Sequence, residues 1–216
     1  IYTFRRYIIR EENRSYVHYH GVYSEIIIGG KNKVKVINLF GTPGAGKSTG
    51  AAYIFSRLKM YGQNVELVTE FAKDKVYEEN PEVFKNQLYI FGKQSFKMSR
   101  CKDKVDYIIT DSPLLLSAFY NEDPVLGDIF NDMVERVFNS YENLNFFIER
   151  VKPYNSSGRF QTESESDQMV TPLKEMLDKY KIEYESIPGD VSGYDKIVDI
   201  VLSKWVRQNL KEELNA

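Results

Sequence analysis

Gly41-Thr42-Pro43-Gly44-Ala45-Gly46-Lys47-Ser48-Thr49 fits the pattern G-x-x-x-x-G-K-[ST]. Its surroundings fit as well. Val34 to Phe40 is a short apolar run that reads as a buried strand ending at Gly41. Lys47 to Lys59 has helical spacing, with Ala51, Ala52, Ile54, Phe55 and Leu58 apolar. A glycine-rich turn between a buried strand and a helix aims backbone N–H groups inward and adds the positive end of the helix dipole. That combination cradles a polyphosphate. All nine residues, Gly41, Thr42, Pro43, Gly44, Ala45, Gly46, Lys47, Ser48 and Thr49, are therefore candidate ligands of a nucleoside triphosphate. Lys47 is expected to reach the β- and γ-phosphates and Ser48 to ligate Mg²⁺.

Working outward, strand and helix alternate. Val65–Val68, 107–110, 145–148 and 182–187 read as further strands. Residues 82–100, 124–140, 165–180 and 192–211 read as helices, with Pro81 where the first begins. This predicts a three-layer α/β domain over 34–211 around a five-stranded parallel sheet. Residues 1–30 differ. They are rich in Tyr, Val and Ile and read as a β-rich extension of two or three strands, turning at His20-Gly21 and followed by a linker at Gly29–Asn32.

Length and composition set the bounds. The chain has 216 residues, enough for one α/β domain with a small appendage. A net charge of −2 argues against a nucleic-acid coat protein but leaves room for a local basic groove. Cys101 is the only cysteine, which excludes an intrachain disulfide and a multi-cysteine metal site and suits the cytoplasm. No apolar run is long enough for a membrane span, and Ile1–Tyr7 lacks the features of a signal peptide. The first residue is Ile, so the chain reads as trimmed or as a fragment. His18 and His20 would share a strand face, without a carboxylate or cysteine to complete a metal site.

Three further features separate the classes of triphosphate-binding protein. Asp111 ends a strand, where a carboxylate can hold Mg²⁺ directly or through water. AAA-type and helicase ATPases usually follow that Asp with a water-activating Glu; here Ser112 follows. The N-K-x-D guanine signature of GTPases is absent. Glu70 comes just past the second strand, at the end that faces the ligand crevice of a parallel sheet. There it could accept a proton from a substrate hydroxyl. Arg150, Lys152 and Arg159 fall on a Pro/Gly-containing loop, about 150–163, that could close over phosphates and supply charge. The bland readings are a solvated Glu and a solvated charged loop.

These residues resemble the nucleoside and nucleotide kinases. The position of Glu70 is similar to that of the catalytic Glu of deoxynucleoside kinases. Asn86-Gln87-Leu88-Tyr89 and Gln94 resemble that family's substrate helix, in which a Gln reads the base, so Glu70, Gln87 and Gln94 are implied as substrate ligands. Thr110-Asp111-Ser112-Pro113 stands where that family has Glu-Arg-Ser, and the arginine is missing. Over about 34–205 the pattern is closer to the ribosylnicotinamide-kinase domain of NadR-type proteins and related small bacteriophage P-loop ATPases, whose polar lid Lys152-Pro153-Tyr154-Asn155 and Gly158-Arg159 resemble. The same resemblance implies a base-binding loop at Pro188–Tyr194, with Gly189 against the purine; an ordinary turn is the equal alternative. It implies ATP and Mg²⁺ as cofactors and catalytic roles for Lys47, Glu70, Asp111, Arg150 and Arg159. The acceptor would be a hydroxyl of a nucleoside, a nucleotide or a modified nucleotide in DNA. A dimer is compatible with it. The rival class is a regulatory nucleotide-binding module that hydrolyses its triphosphate without an acceptor.

Overall fold

The computed structural model describes residues 8–11, 14–19, 22–27, 34–78, 81–157 and 161–214. Contacts divide the chain into two units, Lys33–Lys196 and a second made of Ile1–Asn32 with Ile197–Ala216. Within the second, β1 (Ile8–Glu11), β2 (Arg14–Tyr19) and β3 (Val22–Ile27) form an antiparallel sheet in the order β1-β2-β3. The turn expected at His20-Gly21 and the linker expected at 29–32 lie outside the described residues.

The larger unit is built on five parallel strands: β4 (Lys35–Phe40), β5 (Val65–Val68), β6 (Tyr107–Thr110), β7 (Glu142–Glu149) and β8 (Glu185–Pro188). Their spatial order is β5-β6-β4-β7-β8. The chain starts in the middle, winds to one side and then to the other, so the connections diverge around β4. Ligand crevices open at such switch points, beyond the C-terminal ends of the strands.

Both faces of the sheet are covered, and the central strands β4 and β6 are accordingly buried almost throughout rather than alternating. Val36, Phe40, Ile108 and Phe147 point into a cluster with Phe91 and Met98 of α3 (Gln87–Ser99), Phe130, Val134 and Phe138 of α5 (Gly127–Asn139), and Leu173 and Leu177 of α7 (Val170–Lys179). On the opposite face α1 (Lys47–Met60) packs against β4, β5 and β6 and buries Ala51, Ile54 and Leu58. Ile54 and Leu58, fully buried, each contribute about 1.5–3 kcal/mol over exposure. This is the expected three-layer α/β fold with its five-stranded parallel sheet. The last helix, α8, runs Val191–Leu214, with Ile197, Val198 and Val201 buried.

One polar ladder crosses the apolar interior. Asn38 on β4 is 1% exposed and donates through Nδ2 to Oδ1 of Asn143 (2.9 Å) and of Asn145 (3.0 Å) on β7. Asn38 Oδ1 has no hydrogen-bond partner among the described residues.

Several helices are more divided than periodicity suggests. The 82–100 segment is a 3₁₀ turn, Pro81–Lys85, followed by α3, because the Asn86 side chain accepts the Tyr89 N–H and starts a new helix. The 165–180 segment is α6 (Glu163–Gln168) and α7, joined at Met169. Two short helices, α2 (Phe71–Tyr77) and α4 (Leu116–Phe119), lie in stretches without an expected element.

Candidate active site

The loop after β4 turns through Gly44 (φ 83°) and Gly46 (φ 102°), both in the left-handed region that a side chain disfavours. Gly46 caps α1, whose first residue is Lys47. The Lys47 ammonium donates to the carbonyls of Gly41 (2.7 Å) and Thr42 (3.0 Å), so it lies across the mouth of the loop. Three contacts fix the loop from behind. The Tyr194 hydroxyl donates to the Gly46 carbonyl at 3.0 Å. Gly189, whose N–H donates to the Glu149 carbonyl at 2.8 Å, packs against the Ala45 carbonyl. Ser166 of α6, fully buried, bonds the Thr42 hydroxyl (3.1 Å) and the Pro43 carbonyl (2.7 Å). No motif marks Ser166; only its place in a capped helix after the polar loop could have drawn notice.

In front of the loop is a cavity of about 940 Å³. Pro43, Gly44, Gly46, Lys47, Ser48 and Thr49 line one end. Glu70, at the end of β5, and Asp111, at the end of β6, line the middle. Val68 and Thr110 are register partners, which brings the residues after them to the same height. Asp111 is buried, and its Oδ1 accepts the backbone N–H of Glu70 at 2.9 Å. The far end mixes an apolar shelf, Phe84, Ile90 and Leu116, with Gln87, Ser117 and Tyr120. Tyr120 keeps 38% of its surface exposed, yet its hydroxyl end is desolvated. Burial first, and the Glu70 carboxylate second, push that hydroxyl well above the ordinary phenol range.

The cavity thus brings together Pro43, Gly44, Gly46, Lys47, Ser48, Thr49, Glu70, Gln87 and Asp111. Gly41, Thr42 and Ala45 form the rear of the loop rather than its lining. Gln94, expected beside Gln87, does not line the cavity. Its amide accepts from Phe71 N–H (3.0 Å) and donates to the Thr110 hydroxyl (3.3 Å), a buried strut between strand ends. Gln87 donates to the Phe84 carbonyl at 2.9 Å.

The cations of the polar loop are dispersed. Arg150 is paired with both Glu163 and Asp167 of α6, bonds that hold its guanidinium above its ordinary pKa, and it lies 5.5 Å from the Tyr154 ring centroid. The Tyr154 ring covers Gly44, and its hydroxyl donates to the Gln161 carbonyl at 2.5 Å. Lys152 is exposed, and its charge reaches Asp190, whose carboxyl is held low mainly by the Ser192 hydroxyl and the Gly193 N–H. Neither Lys152 nor Gly189 lines the cavity. Arg159 lies outside the described residues, although Ser157 and Gln161 on either side line the cavity.

The donor set suits a hard cation held between phosphate and protein: a hydroxyl on Ser48 and a carboxylate on Asp111, both lining the cavity. Among the described residues no group of three His, Cys, Asp or Glu could hold a metal by itself. Among them, too, no helix is long and apolar enough to cross a membrane.

A family model described as an AAA domain matches residues 36–193. No curated protein matches the chain. Among solved structures, the chain is similar to the deoxyadenosine kinase of M. mycoides with bound dATP, at 20% identity and a TM-score of 0.50, over 79% of this chain and 98% of that one. The same enzyme with the products dCMP and dCDP gives 18% identity and a TM-score of 0.47, over 80% and 99%. A variant of the APS kinase of Mycobacterium tuberculosis gives 14% and 0.37, over 68% and 99%. At 20% identity the likeness to the first is one of fold.

Proposed function

This chain belongs to the AAA domain family, and from that premise we propose that it is a P-loop kinase, passing the γ-phosphoryl group of ATP to a hydroxyl of a nucleoside, a nucleotide or a modified nucleotide within DNA. The observation that carries the reading is the shared cavity of Lys47, Glu70 and Asp111, with a half-apolar pocket beyond them. Pure hydrolysis needs a carboxylate aimed at water. Here Ser112 follows Asp111, and the remaining carboxylate in the middle of the cavity, Glu70, faces a pocket large enough for a second substrate.

The chemistry is a displacement at phosphorus. The acceptor oxygen forms a bond to the γ-phosphorus, the bond to the β,γ-bridging oxygen breaks, and ADP leaves. Glu70 takes the hydroxyl proton. The loop amides and Lys47 bind the β- and γ-phosphates. Ser48 and Asp111 would hold Mg²⁺, which would supply positive charge against the phosphate oxygens. Gln87 orients the acceptor on the shelf of Phe84, Ile90 and Leu116. Gln94 supports this wall from beneath, through Phe71 and Thr110. Arg159 supplies the cation over the phosphates. Arg150, through Glu163 and Asp167, and Lys152 hold the surrounding loop, while the turn at Gly189 serves the triphosphate from behind. A cytoplasmic enzyme, in the host's cytoplasm if phage-encoded, fits this reading, as does a dimer.

The test is mass spectrometry of products from ATP incubated with nucleosides, mononucleotides, nicotinamide riboside and modified-base DNA. Glu70→Gln is expected to cut transfer by roughly 10²–10⁴-fold while triphosphate binding persists. Transfer that survives Lys47→Ala would overturn the assignment. Family membership favours a second reading, an ATPase module without an acceptor. Rapid γ-phosphate release that no acceptor diverts would select it.

A further inference from the structure

We infer that the hydroxyl acceptor itself carries a phosphate, and that Lys73 binds it. This rests on the kinase reading. α2 begins one residue after Glu70, so Lys73 falls on its first turn. Residues three apart at a helix start share a face, with Cβ atoms about 5–6 Å from one another. Lys73 is half-buried and lines the cavity beside Glu70 and Ala72.

The neighbouring lysines Lys75 and Lys85 have carboxylate partners, whereas Lys73 has none among the described residues. Lys75 pairs with Glu78 at 2.5 Å, and Lys85 bonds both Glu82 oxygens at 2.9 Å. Among the described residues no carboxylate pairs with Lys73. An ammonium that faces the cavity and has no ion-pair partner among the described residues is placed to meet an anionic group of a ligand. The acidic groups across the cavity do not serve. Asp123 Oδ1 takes the N–H groups of Val125 and Leu126, and Glu122 is exposed at the rim. Asp111 is bonded to the Glu70 N–H.

The shelf of Phe84, Ile90 and Leu116 with the Gln87 amide suits a base, so an anion at Lys73 belongs to the sugar–phosphate part of the same molecule. With that anion held by Lys73, a separate hydroxyl of the same molecule is left to attack. A free nucleotide and a nucleotide within a strand share this chemistry.

Calorimetric titration of the full chain with deoxynucleosides, their 5′-monophosphates and dinucleoside phosphates tests the inference. A phosphorylated form is expected to bind about tenfold or more tightly than its nucleoside. Lys73→Gln should remove that difference, Lys73→Arg should keep most of it, and affinity for a non-hydrolysable ATP analogue should stay. Preference for the monophosphate identifies a free nucleotide; preference for the dinucleoside phosphate identifies a strand. Equal affinity for nucleoside and nucleotide, no binding of any of the three, or an equal loss for both in Lys73→Gln would overturn it. Tight nucleotide binding with no transferred phosphate would instead sink the kinase reading and leave the Lys73 site standing.

Discussion

A β-carbon on Gly189 would stand 2.2 Å from the Ala45 carbonyl oxygen and 2.8 Å from that of Glu149. Both are backbone atoms, so nothing can swing away. Gly189→Ala must push the phosphate loop off the end of β7. The expected cost is about 1–3 kcal/mol, read as a lowered melting temperature, with weaker binding of an ATP analogue. Unchanged melting and binding would contradict this close approach. The sequence makes Gly189 visible as a turn glycine, but not that it abuts the loop, because the contact joins residues far apart in the chain. Gln87 and Gln94 teach the same lesson. They are two helical turns apart and share a face, so periodicity cannot separate them. Depth does: one lines the cavity, and the other spends its amide on Phe71 and Thr110. Lys47, Ser48, Glu70 and Asp111 were legible because each sits at a strand end or inside a motif whose spacing is local.

α6 is a helix of six residues that stands on its N-terminal cap. The Thr162 side chain accepts the Glu165 N–H, and the Glu165 carboxylate accepts the Thr162 N–H and hydroxyl. Those bonds, the backbone one first, hold the Glu165 carboxyl below its ordinary value of 4.5. A depressed folded value means the contribution is full above about pH 4.5 and fades as pH falls through the lower folded value. The protection factor of the α6 amides, which is the exchange rate relative to an unstructured peptide at the same pH, should therefore fall below that point, and Glu165→Gln should flatten the profile. A protection factor that does not change across that range in the native protein would refute the cap. Short helices escape periodicity: α2 and α4 span less than two or so turns, too few for a face to show. The longer stretch expected over 165–180 is divided differently: Met169 ends one helix and begins the next, and Pro172, in the first turn of the second, is the local signal of that break.

All five parallel strands end on the same side, and the residues after β4, β5 and β6 meet at one cavity. A triphosphate that binds there stabilises only the folded chain. Mg²⁺·ATP at about 100 times its Kd should add about 2.7 kcal/mol, or roughly 5–10 °C in Tm for a domain of this size. Thermal denaturation with and without nucleotide checks this, and Lys47→Ala should abolish the shift. The sheet as a whole was readable because strand–helix alternation and a central motif leave few topologies. The three-stranded β1-β2-β3 sheet was less so, since nothing local fixes how many of its β-forming residues pair. The asparagine ladder bears on that central alignment. Were β7 to slide by a single position, Asn143 and Asn145 would turn to the opposite face and leave the Asn38 carboxamide stranded in hydrocarbon. The ladder acts as a keyway that admits β7 at one height alone. Glu149, at the top of that strand, receives Gly189, so three linked amides, Asn38 buried and Asn143 and Asn145 half-buried, set the elevation of the wall behind the phosphates.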